Sequence, residues 1–106
     1  MQIDKSFIDE VKRRILSVAS PDKIILFGSA AAGEMTPDSD VDILIVESGS
    51  ADRRELSVRI QDALRGLGHP FDVIVISTEW FEDSKEVIGG IAYPANKHGK
   101  VIYEAA

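Results

Sequence analysis

No cysteine occurs among the 106 residues. That excludes disulfides and thiolate metal sites, so any metal must be held by oxygen or imidazole nitrogen. Histidine is scarce too. His69 and His98 are the only two, and both lie in turn-like stretches without ligand spacing to another histidine, so they read as surface residues. Long apolar runs are missing. None approaches the roughly 20 residues needed to span a bilayer. The opening Met1-Gln2-Ile3-Asp4-Lys5-Ser6 lacks the basic-then-apolar order of a secretion signal. A cytoplasmic protein with no membrane partner is expected. Positive charge is also short: 12 Lys and Arg against 18 Asp and Glu leave a net charge of −6. Such a chain repels phosphate backbones at long range, so direct nucleic-acid binding is not expected and a basic protein partner is favoured. Acidity that merely aids solubility explains the same number equally well.

What is present is ordinary for a globular chain, with 44% apolar and 28% charged residues. The length suits one domain spanning residues 1–106 with a single core. Phe7, Ile8, Val11, Ile15, Val18 and Ala19 recur at helical spacing after Asp4 or Ser6, either of which can cap, and Ser20-Pro21-Asp22 ends that helix. Lys23–Phe27 reads as a buried strand and residues 28–39 as a loop with a helical turn. Val41–Val46 reads as a second strand. Ser50 can cap a helix whose stripe is Leu56, Ile60, Ala63, Leu64 and Leu67, with Gly66 and Gly68 at its end. Phe71–Ile76 reads as a third strand. Ser77 or Thr78 then caps a helix holding Trp80, Phe81, Val87 and Ile88, both aromatics anchoring it to the core and Gly89-Gly90 and Pro94 breaking it. Lys100–Tyr103 reads as a last extended piece. Strands alternating with three helices give an α/β or α+β class, a small sheet flanked by helices.

Chemistry concentrates between Leu26 and Ile43. Gly28-Ser29 follows an apolar strand and precedes Ala30-Ala31-Ala32, strong helix formers. Ser29 therefore starts a helical turn that Gly33 can end, and a helix start offers unpaired N–H groups to phosphate. Gly28 lets a ligand approach the backbone. Taken alone, the pair is better explained by an ordinary strand-to-helix turn with a serine cap. Asp40 and Asp42 add weight, because side chains at i and i+2 of a strand share a face. Two carboxylates there repel unless a cation lies between them, and magnesium takes such oxygen ligands together with phosphates. A polar turn explains Asp40 readily and Asp42 less well. Asp72 stands near the start of the third strand. If that strand neighbours the second, three carboxylates converge to hold metal and deprotonate a hydroxyl. An edge aspartate after Pro70 is the alternative. Gly28 to Gly33 has the outer spacing of a P-loop, but Glu34-Met35 follow where Lys and Ser or Thr are required, and no Rossmann glycine fingerprint occurs.

These residues resemble the nucleotidyltransferase superfamily typified by DNA polymerase beta, and most of all its minimal nucleotidyltransferases (MNT). The signature there is Gly-Ser, ten residues, then Asp-x-Asp; here Gly28-Ser29, Ala30 to Ser39, then Asp40-Val41-Asp42. Pro37-Asp38-Ser39, the single aspartate Asp72, and the tail around Ile91–Pro94 and Gly99–Tyr103 match as well. The resemblance implies a mixed-sheet, palm-like fold. Gly28, Ser29 and Gly33 would contact the triphosphate of ATP or another NTP. Asp40 and Asp42 would bind Mg2+ and Asp72 would complete the site. The implied reaction transfers AMP or another NMP to a hydroxyl. Minimal members commonly pair with a HEPN toxin and serve as its antitoxin, in some cases by AMPylating it. Related loops often carry arginines where this chain has Ala30-Ala31-Ala32, so cations for phosphate would come from Lys97, Lys100 or a partner. Neutralisation of a toxin by contact, or transfer to a small molecule, are the alternatives.

Overall fold

A computed structural model of the chain describes residues 5–28, 39–49 and 52–105. The elements run α1 (Lys5–Leu16), β1 (Lys23–Phe27), β2 (Val41–Glu47), α2 (Arg53–Ala63), β3 (Phe71–Ser77), α3 (Thr78–Ser84), α4 (Ala92–His98) and β4 (Lys100–Glu104). The four strands form one mixed sheet ordered β3-β2-β1-β4. β1 is antiparallel to both neighbours, and β2 is parallel to β3. The expected small mixed sheet flanked by helices is what forms.

Alternation along each strand sorts the core into two layers. Ile24, Leu26, Val41, Ile43, Ile45 and Val73 face Val11 and Ile15 of α1 and Leu56 and Ile60 of α2. Ile25, Leu44, Val46 and Ile76 face Phe81 of α3 and Ala92 and Ala95 of α4. Being covered on both faces, β2 is apolar at nearly every position after Asp42, with Ile43 to Val46 all buried. Helix packing supplies further ties. Arg14 of α1 donates to the carbonyls of Ala63 and Arg65 (3.3 and 2.6 Å), closing the C-terminal end of α2. Gly66 and Gly68 follow with φ of 87° and 86°, conformations that favour glycine.

The β3 edge is closed by side chains. Gln61 Nε2 donates to the Phe71 carbonyl (2.6 Å) and Ser57 Oγ to that of Val73 (3.2 Å). Four helical residues advance about 6 Å and two strand residues about 6.7 Å, so an i, i+4 pair on α2 meets alternate carbonyls of an adjacent strand.

Several sequence expectations need correction. α2 is capped by Asp52, whose carboxylate accepts from Arg54 and Glu55 N–H; Ser50 lies outside the described residues. α3 ends at Ser84, leaving Val87 and Ile88 exposed beyond it. Phe81 anchors α3 as expected, but Trp80 is 44% exposed. Pro94 breaks nothing: it sits in the first turn of α4, where backbone N–H groups have no intrahelical partner to lose. A helix, the fourth among the described residues, therefore stands where a break was expected. His69 is half-buried, its ring edge-on to Phe7 at 5.4 Å, whereas His98 is exposed as expected. Among the described residues, no helix is long and apolar enough to cross a membrane.

Candidate active site

Strand register gathers the acidic residues at one end of the sheet. Phe27, the last residue of β1, pairs with Asp42 near the start of β2, and Asp42 pairs with Asp72 near the start of β3. Adjacent strands lie about 4.8 Å apart, so paired residues project side by side. By alternation Asp42 and Asp72 share the face of Leu44, Val46 and Ile76, the α3/α4 face, at the end of that layer. Asp40 precedes β2 by one residue and is exposed, as is Asp72, while Asp42 is half-buried.

Electrostatics tie the three together. Burial raises the Asp42 pKa above the ordinary carboxylate range, and the charges of Asp72 and then Asp40 push it the same way. Ionised Asp42 is thus held at a disadvantage that a cation would reverse.

Gly28 joins this group through its backbone. Its φ of 67° is a left-handed value that favours glycine. A Cβ at Gly28 would also collide with Asp42 Oδ2. The turn out of β1 consequently brings bare backbone against the Asp42 carboxylate. Ser29 and Gly33, the other two residues expected to hold phosphate, lie outside the described residues.

The donors suit magnesium in kind, being all carboxylate oxygens. Among the described residues no three metal-binding side chains are drawn into a ready cage. Magnesium does not require one, since it keeps several waters and is held by one or two carboxylates together with substrate phosphate. Lys100 is not available to that phosphate from this side. It pairs with Leu26 and lies with Lys5, Ile8 and Lys12 on the α1 face, opposite the carboxylates. Lys97, on α4, turns to Tyr93, its Nζ 3.3 Å from the phenol oxygen.

A mixed sheet covered by helices on both faces, with carboxylates at the mouth of two parallel strands, puts the chain among palm-like α/β proteins. The sequence settles the family: the nucleotidyltransferase domain model matches residues 5–93, and the chain belongs to that family. No curated protein matches it. Among solved structures, one similar fold is in a toxin–antitoxin complex with AMP-PNP. It has TM-score 0.66 and 20% identity over 92% of this chain and 73% of that one. A mutant of the toxin–antitoxin MntA-HpeT gives 0.62 and 18%, over 92% and 73%. The tri-AMPylated Shewanella oneidensis HEPN toxin in complex with MNT antitoxin gives 0.58 and 17%, over 97% and 74%. At these identities the likeness is one of fold.

Proposed function

We propose that this chain transfers AMP, or another nucleoside monophosphate, from a magnesium-bound NTP to a hydroxyl of a partner protein, as the antitoxin of a HEPN/MNT pair in the cytoplasm. The observation that carries this reading is the register that sets Asp42 beside both Asp72 and the Gly28 turn. Family membership and the toxin–antitoxin neighbours support it, one of them bound to AMP-PNP and another holding an AMPylated toxin.

Each residue then has a task. Gly28, Ser29 and Gly33 present backbone N–H groups to the triphosphate. Asp40 and Asp42, with Asp72, hold Mg2+, which when bound neutralises phosphate charge. Asp72 is exposed and receives the proton of the acceptor hydroxyl. The freed oxygen bonds to the α-phosphorus as the bond to the bridging oxygen breaks, and pyrophosphate leaves.

The acceptor is external, since the carboxylates stand at the rim of the sheet. Co-expression with the neighbouring open reading frame, followed by size exclusion and intact mass analysis, tests this. The expected result is co-elution and a partner heavier by AMP in magnesium-ATP, with no gain for Asp42→Asn. Absence of both co-elution and mass gain overturns the proposal. Co-elution without mass gain favours neutralisation by contact, the reading to which Ala30-Ala31-Ala32 lends support because alanines give phosphate no charge.

A further inference from the structure

The net charge conceals an uneven distribution. Of six lysines, three are engaged: Lys23 with Glu104, Lys85 with Glu82, and Lys97 with the Tyr93 ring. The other three, Lys5, Lys12 and Lys100, have no acidic or aromatic partner among the described residues, and all three line one groove of about 380 Å³ between α1 and β4. Ile8 and Ile102 also line it, and Val101, half exposed, stands beside them. β4 is an edge strand. The other edge, β3, has two carbonyls closed by Gln61 and Ser57.

We propose that this groove binds an extended acidic segment of a partner protein, laid along β4. Three lysines around a single carboxylate, Asp9, give the groove a net positive charge in an otherwise acidic protein and so a local attraction for negative charge. Aliphatic side chains and a strand that is outermost among the described residues suit a peptide, which adds main-chain hydrogen bonds to an edge and places side chains in flanking pockets. Nucleic acid fits less well. Among the described residues no aromatic lines the groove for bases to stack on, whereas Ile8, Val101 and Ile102 suit the aliphatic side chains of a peptide. Protection of an edge against aggregation explains Lys100 alone, since Lys5 and Lys12 belong to a helix. Lys100 pairs with Leu26, two residues before Gly28. A chain seated in the groove thus ends at the carboxylate end of the sheet, on the other face. The groove stands on its own geometry and not on the proposed transferase function.

The test uses fluorescence anisotropy without nucleotide or magnesium. The probes are a short labelled peptide alternating glutamate with valine and an oligouridylate of matched length. The peptide is expected to bind in low salt, and binding should weaken as salt rises. The triple variant Lys5→Glu, Lys12→Glu, Lys100→Glu should weaken binding about tenfold or more, the scale of three lost surface ion pairs. Arg53→Glu, Arg54→Glu, Arg59→Glu changes net charge equally and should leave peptide binding close to wild type; circular dichroism checks that both variants fold. Equal losses in the two variants, no peptide binding, or tighter lysine-dependent binding of the oligouridylate each overturn the proposal. Asp42→Asn should bind the peptide as wild type does, since Asp42 lies on the opposite face; wild-type protein that binds the peptide but transfers no AMP to a partner counts against the transferase reading and leaves the groove standing.

Discussion

Asp42 and Asp72 are direct partners across the parallel β2–β3 pair, their side chains on one face, and the charge of Asp72 helps push the Asp42 pKa upward. Nature places like charges side by side at a net loss of stability unless a ligand makes use of them.

Asp42→Asn is expected to abolish nucleotidyl transfer and to stabilise the ligand-free protein. The sign follows from linkage. A carboxyl whose folded pKa is raised binds its proton more tightly in the native state, so stability falls as pH rises from the unfolded value through the folded one. The penalty is complete above that window and absent below it. Melting curves of wild type and variant should separate at neutral pH and converge in acid. A variant that melts lower than wild type at neutral pH, with full turnover, would show the carboxylate pair to be structural.

Magnesium and ATP together should raise the melting temperature more than the sum of their separate effects, because each supplies what the other's binding needs. At a hundredfold excess over Kd, a ligand of the native state adds about 2.7 kcal/mol. For a domain of this size that is a rise of ten degrees or more. The shift should be lost in Asp42→Asn. Calorimetry that finds no binding of ATP, GTP, CTP or UTP with magnesium would remove the basis for the site.

Much of this was legible in the sequence. The β1 run lies between strong breakers, and Ile43–Val46 must be buried on both faces, so both strands stand as expected. Convergence of Asp72 with Asp42 was conditional on β3 lying beside β2, which the register supplies. Other features depend on contacts that periodicity does not encode. Ser50 and Asp52 both have side chains that can cap, and it is Asp52 that accepts from the N–H groups of Arg54 and Glu55. Trp80 looks like a core residue from composition, yet Phe81 alone points at the sheet. The lysine groove joins α1 to β4 from opposite ends of the chain, so no local pattern announces it.

Gly28→Ala should be among the most damaging single substitutions. Adding a side chain to a left-handed position costs about 1–2 kcal/mol. The new Cβ would also displace the Asp42 carboxylate, which lies against it. Stability and magnesium-dependent nucleotide binding are therefore expected to fall together. A Gly28→Ala protein with unchanged melting and unchanged affinity would mean that the turn does not set the position of Asp42.

Placing arginine at Ala30 and Ala32 should tighten NTP binding. Both positions follow Gly28-Ser29 in the sequence, and Gly28 itself stands against the Asp42 carboxylate. Lys100 is on the opposite face and Lys97 is turned to Tyr93, so neither supplies the missing charge by its observed contacts. A guanidinium forms charge-assisted, often bidentate bonds to phosphate that alanine cannot make. Hydrogen bonds to charged groups contribute roughly 1.5–3 kcal/mol when fully formed, and exposure reduces this, so a tenfold gain is the modest expectation. The gain should grow with the number of phosphates, being larger for ATP than for AMP, and should shrink as salt rises. Titration calorimetry of wild type and the double variant with both nucleotides measures each effect. An equal gain for ATP and AMP would mean that the arginines meet the nucleoside rather than the triphosphate. No gain for either would mean that the loop faces away from phosphate, and the roles given to Ser29 and Gly33 would fall with it.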